Sequence, residues 1–568
     1  MIAFRKFFSK GSDHPLARDE ELTTVLAGLP VNDPTQVLQE LTHWLLQLAG
    51  ETPLKNRSTK LFRLDQAGQV AERKLREEYT RSARLHKAIE QRIWTTVHEF
   101  LEASINAHYR CIAEFLESRR AVADVAALAV RTVRRLDLEG HWFQLRYQPL
   151  PEAWWDQVYT LIKLAEERGL MRVPVILNAS LGSETTFVRE LLKLLMVTVT
   201  NPRQFTKPQL ALARHVINAV SGDFVWEDMP GATTVFHVDF SRREPPARIS
   251  QTSERHFMAR CFGPGAAVPR LVTALKQVEQ GAMPSLLGLP DPSAYRRADL
   301  LEVLARLAQS LSRARPVAEH QHFDKRSDER RRSFLNICVI HGFSNVYRRM
   351  SQEQIPPRKP ASLADTLTYE GQVDTHIFGF VRDRTRQQQE RLKALAATPM
   401  PPESEACESW VVRDVSDKGY GVEITSSPGD WVTRNAAVGL HHDSGAWEIG
   451  IIRRVERPSV ETAEVGVEVL SRAPRAAMMR PAESQLSVWE TAADTQTYYH
   501  TPAILLPPEP GLHDDECLLL EPGSYQLHKL YEVFVGEGRR TVKLLDRLAS
   551  YGDVDQVIFA DIPPRRPA

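Results

Sequence analysis

From about residue 17 to residue 222 the apolar residues of this chain recur three and four apart, whereas beyond residue 404 they come in short β-branched and aromatic runs separated by turn residues. A period near 3.6 buries a stripe along a helix and a period of 2 buries one face of a strand, so the two stretches need different cores. In the first, Ile89, Ile93, Val97, Leu101 and Ile105 lie on one face of a run that has no Gly or Pro between Gly68 and Arg120, which predicts one or two long amphipathic helices. Shorter helical stretches open at Pro, Asp or Ser, and those over 33–50 and 151–169 close at Gly, as helix caps require. The Gly182-Ser183 pair before a third such stretch reads as an N-cap. No fixed repeat period of the solenoid kind runs through this part.

With 568 residues the chain exceeds what one core can hold and predicts three or four domains at roughly 150 residues each. Residues 223–245 alternate apolar and polar positions around Pro230-Gly231, which predicts a hairpin, and helices are expected at about 267–281, 297–313 and 328–350. Proline-rich sequence at 354–367 and 396–406 brackets a short segment and places a boundary near residue 400. The organisation expected is a multidomain α plus β protein: a helical domain over 1–222, a mixed α/β middle region over 223–360, a linker over 361–404, an antiparallel β-barrel over 405–475 and a β-rich region over 476–568 that includes one helical piece at 541–551.

Charge and cysteine usage exclude several function classes. The 72 basic residues cancel the 72 acidic ones, and the basic stretch at 323–334 is interrupted by Asp328 and Glu329, so nucleic acid is not an expected partner. Five cysteines without a CxxC pair argue against a disulfide framework or a zinc site and for a reducing compartment; no apolar run reaches about 18 residues, so a cytoplasmic protein without a membrane span is expected. There is no GxxxxGK[ST], HExxH or GxSxG, and an enzyme is not expected. His320 and His322 with Asp324, and the pair His441-His442, read as solvated side chains, and no metal or cofactor is expected.

What remains is the stretch Asp414-x-Ser416-x-x-Gly419, set between two strand-like runs, with "GDWV", "GIIRRV" and "VGVEVL" following in order. This resembles the PilZ domain, a six-stranded β-barrel of bacteria that binds the second messenger cyclic di-GMP, and the resemblance covers about residues 405–472. It implies a [DN]xSxxG motif on the barrel surface and a preceding RxxxR segment, for which Arg382 and Arg386 stand in register with Arg384 between them. Those arginines have two readings, a ligand clamp or neighbours on a solvated helix face. Arg453 and Arg457 share the spacing but follow the motif, against the family's order.

The residue types suit such a ligand. A guanidinium grips guanine O6 and N7 with two parallel hydrogen bonds, and a carboxylate accepts from guanine N1 and N2. Asp414 would then take a base edge, Ser416 would add a hydroxyl contact, and Gly419 would let the backbone approach. Asp417-Lys418-Gly419 is also ordinary turn chemistry. Two functions follow from the resemblance. One is a cyclic di-GMP receptor that couples the messenger to an unidentified protein partner of the helical region; the other is a non-binding scaffold or adaptor built on the same barrel.

Overall fold

The structure is a computed structural model, and it describes residues 16, 19–51, 54–81, 87–118, 121–177, 184–249, 259–284, 288, 295–313, 331–354, 407–425, 429, 431–442, 445–459, 461–482, 500–536 and 538–562. They divide into two compact units, one within residues 1–325 together with 456–459, the other within 326–455 and 460–568.

The first unit is a helical array followed by a small sheet. Helices Pro34–Ala49, Arg57–Arg81, Lys87–Glu117 and Val122–Leu145 pack through one continuous core that includes Leu41, Leu45, Phe100, Leu101 and Leu136. Asp33 caps the first of these by accepting from the backbone N–H groups of Thr35 and Gln36, with Pro34 in the first turn. The helix Phe187–Val199 is capped by Thr186, whose hydroxyl accepts from the Arg189 N–H; the Gly182-Ser183 pair read as an N-cap lies outside the described residues.

The array is pinned by a buried carboxylate. Asp65 Oδ1 accepts from Ser104 Oγ at 2.7 Å, while Arg135 Nε and His108 Nε2 each lie 3.3 Å from Oδ2, so three helices converge on one charge. Burial pushes the His108 imidazole below its usual range. A carboxylate this deep is tolerable only with its partners in place.

The expected hairpin around Pro230-Gly231 is not formed. Val225–Glu227 and Phe236–Asp239 both pair with Ala259–Gly263, which lies between them in a four-stranded sheet. Alternation reports strands but not their partners, and the strand that separates these two begins only at Ala259, beyond the reach of a hairpin turn.

The second unit holds two closed six-stranded antiparallel barrels, whose strands are numbered here in chain order. The first comprises β1 (Arg331–His341), β2 (Glu408–Ser416), β3 (Gly419–Ile424), β4 (Ala437–His441), β5 (Trp447–Glu456) and β6 (Ala463–Ser471). The second comprises β7 (Arg475–Pro481), β8 (Thr501–Leu506), β9 (Cys517–Leu520), β10 (Leu530–Val535), β11 (Gly538–Ser550) and β12 (Asp555–Asp561). Around the first ring the order is β1-β2-β3-β6-β5-β4 and around the second β7-β8-β9-β12-β11-β10. The two barrels therefore share one topology.

Three expectations are corrected here. The helix expected at 328–350 is a strand, β1, followed by the helix Phe343–Gln354; Gly342 at φ +79° makes the break, and Ile337, Val339 and Ile340 of β1 are buried. The first barrel thus takes a strand from the region read as mixed α/β. The helical piece at 541–551 is part of β11, which carries register shifts between Leu544 and Asp546 and between Arg547 and Ala549. Each bulge inserts an extra residue, so the apolar spacing drifts away from 2 and imitates a helix. Finally, Cys338 of β1 and Cys407, just before β2, form a disulfide with Cα atoms 5.7 Å apart, where no disulfide was expected; Cys111, Cys261 and Cys517 are free and buried.

Among the described residues no helix is long and apolar enough to cross a membrane. Two outcomes test this description. Asp65→Ala should lower the unfolding free energy by about 3–5 kcal/mol, read by denaturant titration, because it strands Arg135 and His108 in the core. Thiol titration of the denatured, unreduced chain should count three free thiols rather than five.

Candidate functional site

The hairpin of β2 and β3 pairs Ser416 with Gly419, Val415 with Tyr420 and Asp414 with Gly421. Beyond Asp414 the register shifts, and Val412 pairs with Val422. Arg413 is the extra residue. Val412 and Val422 are buried inside the barrel, so without this bulge Asp414 would also point inward; with it, Asp414 stands on the outer wall opposite Gly421. Arg413 itself pairs with Glu423.

Following the hydrogen-bonded register across the wall gives one row. Arg332 of β1 is the cross-strand partner of Asp414, Asp414 of Gly421, and Gly421 of Gly466 on β6. A Cβ added to Gly466 would meet the Arg454 Cβ of β5 at 3.4 Å and its Nε at 3.9 Å. The row therefore reads Arg332, Asp414, Gly421, Gly466, Arg454. A Cβ added to Gly421 would fall 2.4 Å from Asp414 Oδ2, so the carboxylate lies across that bare position. Between the two arginines the wall has an acid lying over two positions that carry no side chain. Arg332 and Arg454 have no ion pair among the described residues, whereas Arg453 is committed to Glu468 and stacks 5.0 Å from the Tyr551 ring.

Ser416 and Gly419 shape the turn beside this row. Ser416 Oγ donates to the Gly419 carbonyl at 3.2 Å. Gly419 is not in the left-handed region; a Cβ there would lie 2.0 Å from the Val467 carbonyl oxygen. Its glycine is thus required by the packing of β3 on β6, a reason that differs from the ligand approach expected from sequence. On the inward side, Tyr420 donates to Glu448 Oε2 at 2.8 Å, and burial followed by the nearby Glu448 charge pushes its phenol above the ordinary range, so it stays a donor.

The other sequence candidates separate. Arg382, Arg384 and Arg386, like His320, His322 and Asp324, lie outside the described residues. His441 and His442 diverge, the first 3.6 Å from Glu353 and the second 3.6 Å from Glu448. Among the described residues no group of three His, Cys, Asp or Glu side chains could hold a metal ion. Sequence reasoning missed Arg332, Gly421, Gly466 and Arg454. The signal was present in the isolated glycines of "GYGVEI" and "VGVEVL", since glycine inside a strand marks close approach of another group.

The two glycines of the hairpin strand should answer differently to alanine. Gly419→Ala meets rigid backbone and should cost about 1–3 kcal/mol in stability. Gly421→Ala meets a movable carboxylate, so thermal melting should change little while the chemical environment of Asp414 shifts in NMR spectra.

Comparison with known proteins places a relationship elsewhere in the chain. Residues 20–229 match the family described as the N-terminal domain of the cyclic-di-GMP receptor FimW. The match covers the helical array and well under half of the sequence, and it does not reach the barrel, where the sequence resemblance had been placed. No curated protein and no solved structure matches the chain.

Proposed function

We propose that this protein is a non-catalytic cyclic di-GMP receptor that holds the messenger on the outer wall of its first barrel and relays its presence to a protein partner through the helical region. The observation that carries the reading is the row Arg332, Asp414, Gly421, Gly466, Arg454, in which an outward carboxylate and two positions without side chains lie between two arginines. The helical match to a cyclic-di-GMP receptor's N-terminal domain supports it independently.

The chemistry fits in detail. A cyclic dinucleotide of guanosine carries two phosphodiester charges and two flat bases. Guanidinium groups bind phosphate bidentately and also read guanine O6 and N7, while a carboxylate accepts from guanine N1 and N2. Because Gly421 and Gly466 have no Cβ, the Asp414 carboxylate and the Arg454 side chain can lie low across the wall, and a base approaches the row over them. In this reading Asp414 takes a base edge, Arg332 and Arg454 take phosphates or bases, and Ser416 and Gly419 hold the turn that presents Asp414. Arg382 and Arg386 are the further arginines the sequence offers for the same ligand.

The alternative is a scaffold without ligand. One observation favours it: the second barrel has the same strand order yet uses the corresponding wall for packing, so the topology serves without a messenger.

Calorimetric titration of the full chain with cyclic di-GMP should give saturable binding that cyclic di-AMP does not reproduce. Asp414→Ala, Arg332→Ala and Arg454→Ala should each weaken it about tenfold or more, the weight of roughly 1.5–3 kcal/mol for a charged hydrogen bond. Absence of binding heat at high micromolar messenger would reject the receptor reading. Recovery of the same partner proteins by wild type and Asp414→Ala would favour the scaffold.

A further inference from the structure

Because the two barrels share a strand order, the β2–β3 turn has a topological counterpart in the connection between β8 and β9, residues 507–516. That connection lacks an Asp-x-Ser-x-x-Gly stretch. It reads Pro507-Pro508-Glu509-Pro510-Gly511, and three prolines with fixed φ make it a stiff support for the acid among them. A reciprocal backbone bridge adds to the stiffness: the Glu509 N–H donates to the His513 carbonyl at 3.0 Å and the His513 N–H to the Glu509 carbonyl at 3.1 Å.

The Glu509 carboxylate reaches the corner that joins β6 to β7. It accepts from the Arg472 N–H at 2.9 and 3.0 Å, from the Ala473 N–H at 3.2 Å, and from the hydroxyl of the fully buried Ser471. From the same corner two bonds return to the first barrel's turn. The Arg472 guanidinium donates to the Asp417 carbonyl, and the Val469 N–H donates to the Lys418 carbonyl at 2.9 Å. Asp417 and Lys418 are the two residues between Ser416 and Gly419. Arg472 is oriented in turn by Glu448, 3.8 Å away, whose other oxygen holds Tyr420.

We propose that Glu509 is a positioning residue through which the second barrel sets the conformation of the Asp414–Gly421 hairpin and so tunes its affinity for an anionic ligand. Carboxylate bonds to several N–H donors are among the strong ones, and here they act on backbone that directly carries the turn's two anchors. The link to affinity rests on the receptor reading; the link to hairpin conformation does not.

The two parts are tested separately. In hydrogen exchange on the full chain without ligand, Glu509→Ala should lose about tenfold in amide protection over 416–421 and 469–473. In titration with cyclic di-GMP it should bind about tenfold more weakly. Arg472→Ala should reproduce the loss at the hairpin, and the double variant should be no worse than the worse single one, since residues acting in series are not additive. Unchanged protection at 416–421 in Glu509→Ala, or additive losses in the double variant, would overturn the proposal. If Glu509→Ala does not fold, Ser471→Ala and the isosteric Glu509→Gln carry the same comparison, with smaller losses in the same places expected and none overturning it. A wild type that binds no cyclic di-GMP but shows the exchange effect would remove the receptor reading and leave the coupling standing.

Discussion

The apolar layer between the two barrels is the constraint on which the second unit rests. Trp447, Ile449, Ile451 and Leu470 of the first barrel meet Ile504, Leu506, Cys517 and Leu519 of the second, with Phe343, Val346 and Met350 of the helix Phe343–Gln354 in the same cluster. A six-stranded barrel already buries one face of each strand in its interior, as Ala503, Leu505, Leu518 and Leu520 do in the second. Strands β8 and β9 therefore have to be apolar on both faces, and "AILL" and "CLLL" are continuous runs for that reason. Burial at roughly 1.5–3 kcal/mol per large side chain is ample to hold the two rings in register. Asp553 fixes the join further, accepting from the Ala437 and Phe343 N–H groups.

This layer explains how one topology carries two kinds of wall. On the second barrel, the outward residues of β7, β8 and β9 are Ala476, Ile504, Leu506, Cys517 and Leu519, all buried in the layer. On the first, the corresponding strands β1, β2 and β3 present Arg332, Asp414 and Gly421 instead. The first barrel is packed through β4, β5, the end of β6 and the Ile340 end of β1, leaving the wall around the hairpin outside the apolar cluster. Among the described residues Arg332 and Arg454 make no ion pair, so this wall is not closed by the contacts that fix the layer.

Much of the architecture was legible in the sequence. Period and caps located the helical array, and β-branched runs located the strands of the first barrel from β2 onward. What escaped was long-range pairing. β1 lies before a proline-rich interval and closes the ring with β4 and β2, a partnership that no local pattern encodes. The disulfide Cys338–Cys407 was hidden by the same distance, 69 residues, which spacing arguments about cysteines do not bridge. The candidate site was half legible: Asp414, Ser416 and Gly419 stood out as a pattern, while Arg332 and Arg454 became visible only when the register brought them to one row.

The bulge at Arg413 gives the wall an unusual evolutionary setting. A deletion of that one codon would set Asp414 directly after Val412 and leave it on the outer wall, whereas a β2 that kept Arg413 in regular alternation would turn Asp414 toward the barrel's lumen. Which side chains the first barrel shows on this wall is thus set by a single residue of phase, so that the wall can be rewritten without rebuilding the fold around it.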